Sequence, residues 1–360
     1  MIRFPFFRLF LALAGFLPLA RAQPAPAEPA AETAKPAPVA TAPAATPATL
    51  PNTKAFRRVA DEMDKAMQAD NAAVQSAPLS FAKGNGLRIL MTGHSWVAPG
   101  KITLPDIAKA AGYKDHVQRD HTSGGASGSA NSIWRNEQGL DKSKPTRVIL
   151  LPAIPTGQWD VMTWGMYSND TPHDYIQWME PCLKANPAMV FYIQDGWPTP
   201  RMNGKDAPAD KLSATLKAAY ETSMIPMFQG NYDALNKDYP GKVHIIPAGA
   251  AVVEMIGHYY AGELPGFDCL AEINGGKKGI YSPDSFHLSR TSGIGWLVGY
   301  CYYGMLYKKS PELIKDFKPK GVDPVLDHFM RQAAWHAITH SSFSGLTDAN
   351  GNGVADQIEK

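Results

Sequence analysis

Cysteine is scarce in this chain: Cys182, Cys269 and Cys301 are the only three among 360 residues. No Cys-x-x-Cys occurs, and the spacings suit no zinc cage. At most one disulfide can form. Sequence does not choose among the three pairings, and three buried apolar thiols are an equally good reading. An excess of charge of one sign is also missing, with a formal net charge of +2. No basic run is interleaved with aromatics, so nothing points to a nucleic-acid partner. Beyond the first two dozen residues, no stretch is long and apolar enough to span a bilayer, so the mature protein is expected to have no membrane span. No glycine-rich segment ends in Gly-Lys-Ser/Thr, which counts against a phosphate cradle. There is no internal repeat.

What is present begins with a targeting segment. Arg3 precedes an apolar stretch over residues 4–19, and Ala20-Arg21-Ala22 is a small-x-small cleavage site. The expectation is an exported protein, secreted or periplasmic, with residues 1–22 removed as a signal peptide. Residues 23–52 are almost all Ala, Pro, Thr and Glu and read as a flexible linker. Residues 53–82 hold a predicted N-terminal helix, with helical spacing at Phe56, Val59, Met63 and Met67. The apolar run Leu87–Met91 reads as a buried strand, and further strands are expected near Val117 and at Val161–Trp164, Met189–Ile193 and Val243–Ile246. Helical patterns fall between and after them, over 209–237, 250–261 and 291–308. Strands alternating with helices imply an α/β fold with a mainly parallel sheet. The segment 147–157 stays open. In such sheets ligands bind at the carboxyl ends of the strands.

The first strand runs straight into Gly93-His94-Ser95-Trp96. A serine just past a strand, after a glycine that permits a tight turn, can be exposed at the sheet edge; it can also simply cap the next helix. Serine needs a base to take its proton, and imidazole suits that task near neutral pH. Asp284 and His287 lie three apart in Ser282-Pro283-Asp284-Ser285-Phe286-His287, so one turn can bring the carboxylate onto the ring. Two polar segments follow presumed strands: residues 122–129 (TSGGASGS) and Tyr167-Ser168-Asn169-Asp170. Backbone N–H groups of the first and the Asn169 amide of the second are candidate donors to an oxyanion.

Taken in order, these blocks resemble the SGNH (GDSL-like) hydrolases, over about residues 85–310. The family has a serine block, a glycine block, an asparagine block and a late Asp-x-x-His. On this resemblance Ser95 is the nucleophile, and Asp284 and His287 complete the triad. The oxyanion hole then falls to Ser95, Gly128 and Asn169. Asp160, nine residues before Asn169, matches an acidic position frequent in the family. Two departures stand out: His94 takes the place of the family's Asp, and Tyr167 that of its Gly. The resemblance implies a three-layer α/β/α sandwich over 83–315 and ester hydrolysis through an acyl-enzyme, with no cofactor for catalysis. Trp96, Trp134 and Trp197 near the presumed active edge hint at an O-acetylated polysaccharide as substrate, although tryptophans that simply pack are the commoner case. The alternatives are a non-catalytic glycan-binding protein on the same fold, a calcium-dependent adhesion module, or a lipase or thioesterase. The α/β-hydrolase kind of lipase is disfavoured because the serine lacks Gly-x-Ser-x-Gly.

Residues 316–360 are expected to form a C-terminal helix and a calcium-loop-like tail. Residues 348–359 (DANGNGVADQIE) match an EF-hand loop. Its oxygen ligands would be Asp348, Asn350, Asn352, the Val354 carbonyl, Asp356 and Glu359, with glycine at the sixth position. Any Ca²⁺ there is expected to be structural.

Overall fold

The computed structural model describes residues 85–272 and 277–359. The expected signal peptide, linker and N-terminal helix lie outside those residues. Five strands form one parallel sheet: β1 (Arg88–Gly93), β2 (Val117–Thr122), β3 (Val161–Gly165), β4 (Val190–Gln194) and β5 (Val243–Ile246), in the order β2-β1-β3-β4-β5. Both faces are covered. On one lie α1 (Ala98–Ala110), α7 (Ala248–Tyr260), α8 (Trp296–Tyr307) and α9 (Pro324–His340); on the other lie α2 (Ala130–Glu137), α3 (Pro172–Ala185) and α6 (Ile225–Asp238). The expected three-layer α/β/α sandwich is therefore what the chain forms.

The alternation of strand side chains explains the two covered faces. In β1, Ile89 and Met91 enter the core beneath α1 and α8, while Leu90 enters the core beneath α2 and α3. Met162 and Trp164 of β3 follow Leu90. Such strands carry no polar face, so their pattern is a continuous apolar run. Helix α8 is apolar all round, and every residue of it except Trp296 is buried, so it is an interior helix.

The predicted helix over 209–237 forms, with a π bulge inside it. A short α5 (Leu212–Ala219) passes into a π turn at Tyr220–Met224 and then into α6. Pro226, at the second position of α6, lacks the N–H that an uninterrupted helix would use. Between β4 and α5 lies α4 (Pro200–Asn203), and a parallel two-stranded ribbon, β6 (Cys269–Ala271) with β7 (Gly279–Tyr281), precedes the Asp-x-x-His segment. The open segment 147–157 is irregular apart from a 3₁₀ turn at Ile154–Thr156. The tail is tied to the body: Lys309 and Val354 form an antiparallel bridge, and Ile245 N–H donates to the Phe343 carbonyl at 3.0 Å. All three cysteines are free; Cys182 and Cys301 are buried, and burial pushes the Cys182 thiol up to about 12.

One buried carboxylate follows β4. Asp195 is 1% exposed; it accepts from Gly249 N–H and from the Tyr220 hydroxyl, each at 2.7 Å. Burial raises it, these bonds only partly oppose that, and it titrates at about 7. A carboxylate held above its unfolded value of about 4 binds its proton more tightly when folded. Its contribution to stability is therefore complete below about pH 4 and is lost as pH rises through 7. Asp195→Asn keeps an acceptor for Gly249 and a donor for Tyr220 without the charge. The variant should lose less melting temperature than wild type between pH 5 and pH 8. Parallel thermal denaturation curves at the two pH values check this, and equal losses would refute it.

Candidate active site

Strand order 2-1-3-4-5 places a crevice between the carboxyl ends of β1 and β3, where the order of winding reverses. Ser95 stands there. Gly93, the last residue of β1, has φ +153, and a Cβ on it would come within 2.9 Å of the Gly165 amide. Glycine thus lets the two strand ends approach and turns the chain so that Ser95 leaves the sheet edge.

The late segment reaches this serine. Tyr281 and Leu288 form an antiparallel bridge, and Ser282 N–H donates to the His287 carbonyl at 2.8 Å, closing a loop over residues 282–287. Within it Ser285 has φ +54, a left-handed conformation that costs a non-glycine residue about 1–2 kcal/mol. The tight turn puts Asp284 on the ring: its Oδ2 is 2.6 Å from His287 Nδ1. On the other side, His287 Nε2 is 2.8 Å from Ser95 Oγ. Asp284 also accepts at Oδ1 from the Ser282 hydroxyl (2.6 Å), Phe286 N–H (2.9 Å) and His287 N–H (3.0 Å). Partial burial is the largest single influence on this carboxyl and raises it. The hydrogen bonds together outweigh burial and hold it well below the ordinary carboxylate range. It is therefore ionised at neutral pH.

His94 is buried and bridges two loops. Its Nε2 lies 2.8 Å from the Met166 carbonyl, which can only accept, so Nε2 carries the proton. Nδ1 then accepts from Trp96 N–H at 3.4 Å. Burial lowers its pKa, the Met166 carbonyl partly opposes this, and nearby His287 adds to the lowering. An aspartate at 94 would set a carboxylate against that carbonyl; histidine supplies the donor instead.

The two oxyanion candidates beyond Ser95 lie in different surroundings. Gly128 is buried against the serine turn: a Cβ on it would lie 2.6 Å from the Gly93 oxygen and from His94 Cα. It is Gly125, at φ +53 and first in a 3₁₀ turn, that lines the cavity beside Ser95. Asn169 is exposed at the tip of a turn and lines neither cavity at Ser95. Asp170 causes this. It is buried, accepts at Oδ2 from Tyr167 N–H (2.8 Å) and the Tyr175 hydroxyl (2.9 Å), and its carbonyl takes the Asn231 amide at 3.0 Å. The turn so closed presents Tyr167 and Ser168 to the cavity. Asp160 is remote, at the opposite edge of the sheet, accepting from Arg88 N–H at 2.8 Å.

The tryptophans do not offer free faces. Trp96 and Trp197 are buried and stack on each other at 4.6 Å, and Trp134 packs edge-on against Trp178 at 4.8 Å. Sequence reading left Gly125 in competition with Gly128, and missed the methionines of the cavity and Arg290, which lines the cavity beside His287. For Gly125 a signal existed, since two glycines compete within residues 122–129. The methionines come from the loop after β3 and from helical segments distant in sequence, and gave none.

At the C-terminus the calcium-loop residues fold back on themselves. Asp348 accepts from Asn352 N–H (3.1 Å), Gly353 N–H (3.0 Å) and Trp335 Nε1 (2.8 Å). The Glu359 carboxylate meets the side-chain amides of Asn350, at 2.8 Å, and of Asn352. Asp356 is turned to the Thr347 hydroxyl (2.7 Å) and Ala349 N–H (3.2 Å), while Val354 is in the bridge with Lys309. Among the described residues no three His, Cys, Asp or Glu side chains are grouped to hold a metal ion. The loop's oxygen set would have to include its asparagines and a carbonyl, which is the donor mixture of a hard-cation loop.

No family model matches the chain, and no curated protein does. Solved structures give distant likenesses. A DUF4886 family protein from Bacteroides uniformis is 17% identical, covering 71% of this chain and 95% of its own, with a TM-score of 0.46. A candidate GDSL-like lipase from Parabacteroides merdae is 9% identical over 60% and 94%, with a TM-score of 0.34. A candidate platelet activating factor from Streptococcus pneumonia is 14% identical over 70% and 99%, with a TM-score of 0.31.

The position of Gly128 generates a test. Gly128→Ala sets a methyl against backbone atoms of residues 93 and 94, which cannot swing aside. The cost should be about 1–3 kcal/mol, as for other overpacked sites. Chemical denaturation measures it, and an unchanged midpoint would contradict the packing described.

Proposed function

We propose that this chain is an exported serine hydrolase that cleaves carboxylic esters. The observation that carries the reading is the continuous relay Asp284–His287–Ser95, with contacts of 2.6 and 2.8 Å, open to solvent at the crevice. In this reading His287 Nε2 takes the Ser95 proton as Oγ attacks the ester carbonyl carbon. Asp284 keeps the imidazole in the right tautomer and offsets the charge that forms on it. Backbone N–H groups of Ser95 and of the Gly125 turn face the developing oxyanion. Collapse expels the alcohol, which takes its proton from His287. Water, activated by the same imidazole, then releases the acid. The apolar start of the chain and its small-x-small site support action outside the cytoplasm, in the periplasm or beyond. O-acetylated polysaccharide stays a candidate substrate, although buried Trp96 and Trp197 cannot stack on sugars as free platforms.

Ser95→Ala should abolish release of 4-nitrophenol from 4-nitrophenyl acetate, and Asp284→Asn should lower kcat by roughly 10⁴-fold. A fluorophosphonate probe should label Ser95 and nothing else. Full activity in Ser95→Ala would overturn the reading, and an unlabelled Ser95 would favour the non-catalytic glycan-binding alternative.

A structural Ca²⁺ in the last loop is favoured by the closure of Glu359 onto Asn350 and Asn352. Asp348, Asn350, Asn352, the Val354 carbonyl, Asp356 and Glu359 would hold it, after the asparagine amides turn their oxygens inward. Bound ion would tie α9 to the tail through Asp348 and Trp335. Millimolar calcium should raise the melting temperature of wild type and leave that of Glu359→Gln unmoved; equal shifts, or none, would count against the site.

A further inference from the structure

We propose that the two cavities flanking Ser95 divide the ester between them, the acyl chain entering a small methionine-lined cavity and the alcohol a larger one beside His287. The assignment rests on the serine-hydrolase reading above and adds to it a substrate class: short-acyl esters of a bulkier alcohol.

The proton inventory sets the directions. At the tetrahedral carbon there are four substituents: Ser95 Oγ, the oxyanion, the leaving oxygen and the acyl carbon. The leaving oxygen must come within reach of His287 Nε2, which protonates it. The cavity that contains both Ser95 and His287 therefore takes the alcohol. It is about 310 Å³ and is walled by Ile102, Trp197, Leu288 and Trp296, with Arg290 among its lining. The oxyanion and the acyl carbon are left to share the other side. There a second cavity of about 170 Å³ includes Ser95 and Gly125 but not His287.

This second cavity has the character of an acyl site. Met166, Met202, Met224, Met227 and Phe286 line it. Thioether side chains are polarisable and adapt their shape, which suits a flexible alkyl chain. Met166 and Met224 are buried and set its depth, while Met202 is 59% exposed at its rim. Met224 closes the π turn Tyr220–Met224, and such turns recur at functional positions because they re-aim a side chain out of helical register. Its size also decides the chain length. A cavity of about 150 Å³ holds one benzene ring, so about six acyl carbons fill this one. Each methylene taken from water up to that limit should raise kcat/KM about fourfold.

The test uses 4-nitrophenyl esters from acetyl to dodecanoyl, so that the alcohol is constant, with wild type and Met224→Ala. Wild-type kcat/KM should climb to about hexanoyl and fall beyond it. Met224→Ala removes three heavy atoms from the floor and should move the optimum about three methylenes longer. Met227→Ala, at a half-exposed position, should move it in the same direction and keeps the test open should Met224→Ala fail to fold. Ile102→Ala and Trp296→Ala should leave the acyl optimum in place and change the ranking of a second series, acetates of alcohols of increasing size. A wild-type optimum at decanoyl or longer, or methionine variants that alter the alcohol ranking and not the acyl optimum, would overturn the partition while Ser95-dependent turnover left the hydrolase standing. No Ser95-dependent turnover of any ester would strike the hydrolase reading itself, and the partition with it.

Discussion

The contact between Ser95 Oγ and His287 Nε2 joins residues 192 apart in the chain, and much of the structure is arranged around holding it at 2.8 Å. A hydroxyl and an imidazole on separate loops lose entropy when fixed against each other, so both loops need anchors that do not move. Ser95 is anchored by strand β1, buried at all six residues, and by the His94 bond to Met166. His287 is anchored by the bridge between Tyr281 and Leu288. That loop is in turn pinned to the segment after β4: the Tyr281 hydroxyl donates to the Pro198 carbonyl at 2.6 Å, and Trp197 Nε1 to the Phe286 carbonyl at 3.3 Å. The stacked Trp96–Trp197 pair then connects the serine turn to the same segment. The two loops meet through a third, and that third loop leaves the central sheet.

How much of this was legible in the sequence follows from how local each cause is. Strands β1, β3, β4 and β5 were readable because a strand buried on both faces is largely apolar, whereas the edge strand β2 (VQRDHT) carries no such run. Ser95, Asp284 and His287 could be singled out because the relay needs a glycine-permitted turn and a carboxylate within one turn of its histidine, both short-range demands. The places of Gly125 and Asn169 were not readable from spacing. The place of Asn169 depends on Asp170, whose hydrogen bonds to Tyr167, Tyr175 and Asn231 join a turn to two helices. Nothing in four consecutive residues reveals that the last of them is buried and that the third is therefore turned out. The π bulge within 209–237 was hidden for the converse reason: helical spacing continues across it, and the one sign of it is the missing N–H at Pro226.

Polar burial beneath the crevice follows one pattern. Asp195 and Asp170 are buried, and burial raises both, to about 7 and about 6. Each supports a loop beside the crevice: Asp195 holds Gly249 and Tyr220 behind Trp197, and Asp170 holds the turn that carries Tyr167. Asp284, half-exposed and given four hydrogen bonds, is driven the opposite way. Burial and hydrogen-bond number thus separate three carboxylates into two that tolerate a proton and one that does not. Only the last is in contact with the imidazole, where a fixed negative charge is of use.

The same economy bears on the oxyanion. With Asn169 exposed, the proposed hydrolase would rely for its oxyanion on backbone N–H groups of the serine turn and the Gly125 turn. A backbone donor carries no rotamer to fix, so its reorganisation on charge development is small. What it requires is that the two turns be held in register. Gly128 packed against Gly93 and His94 supplies that register, since no side chain separates the two backbones. On this view the glycine that resemblance assigns to the oxyanion hole acts one step behind it: it sets the distance between two turns, and the donors on those turns follow.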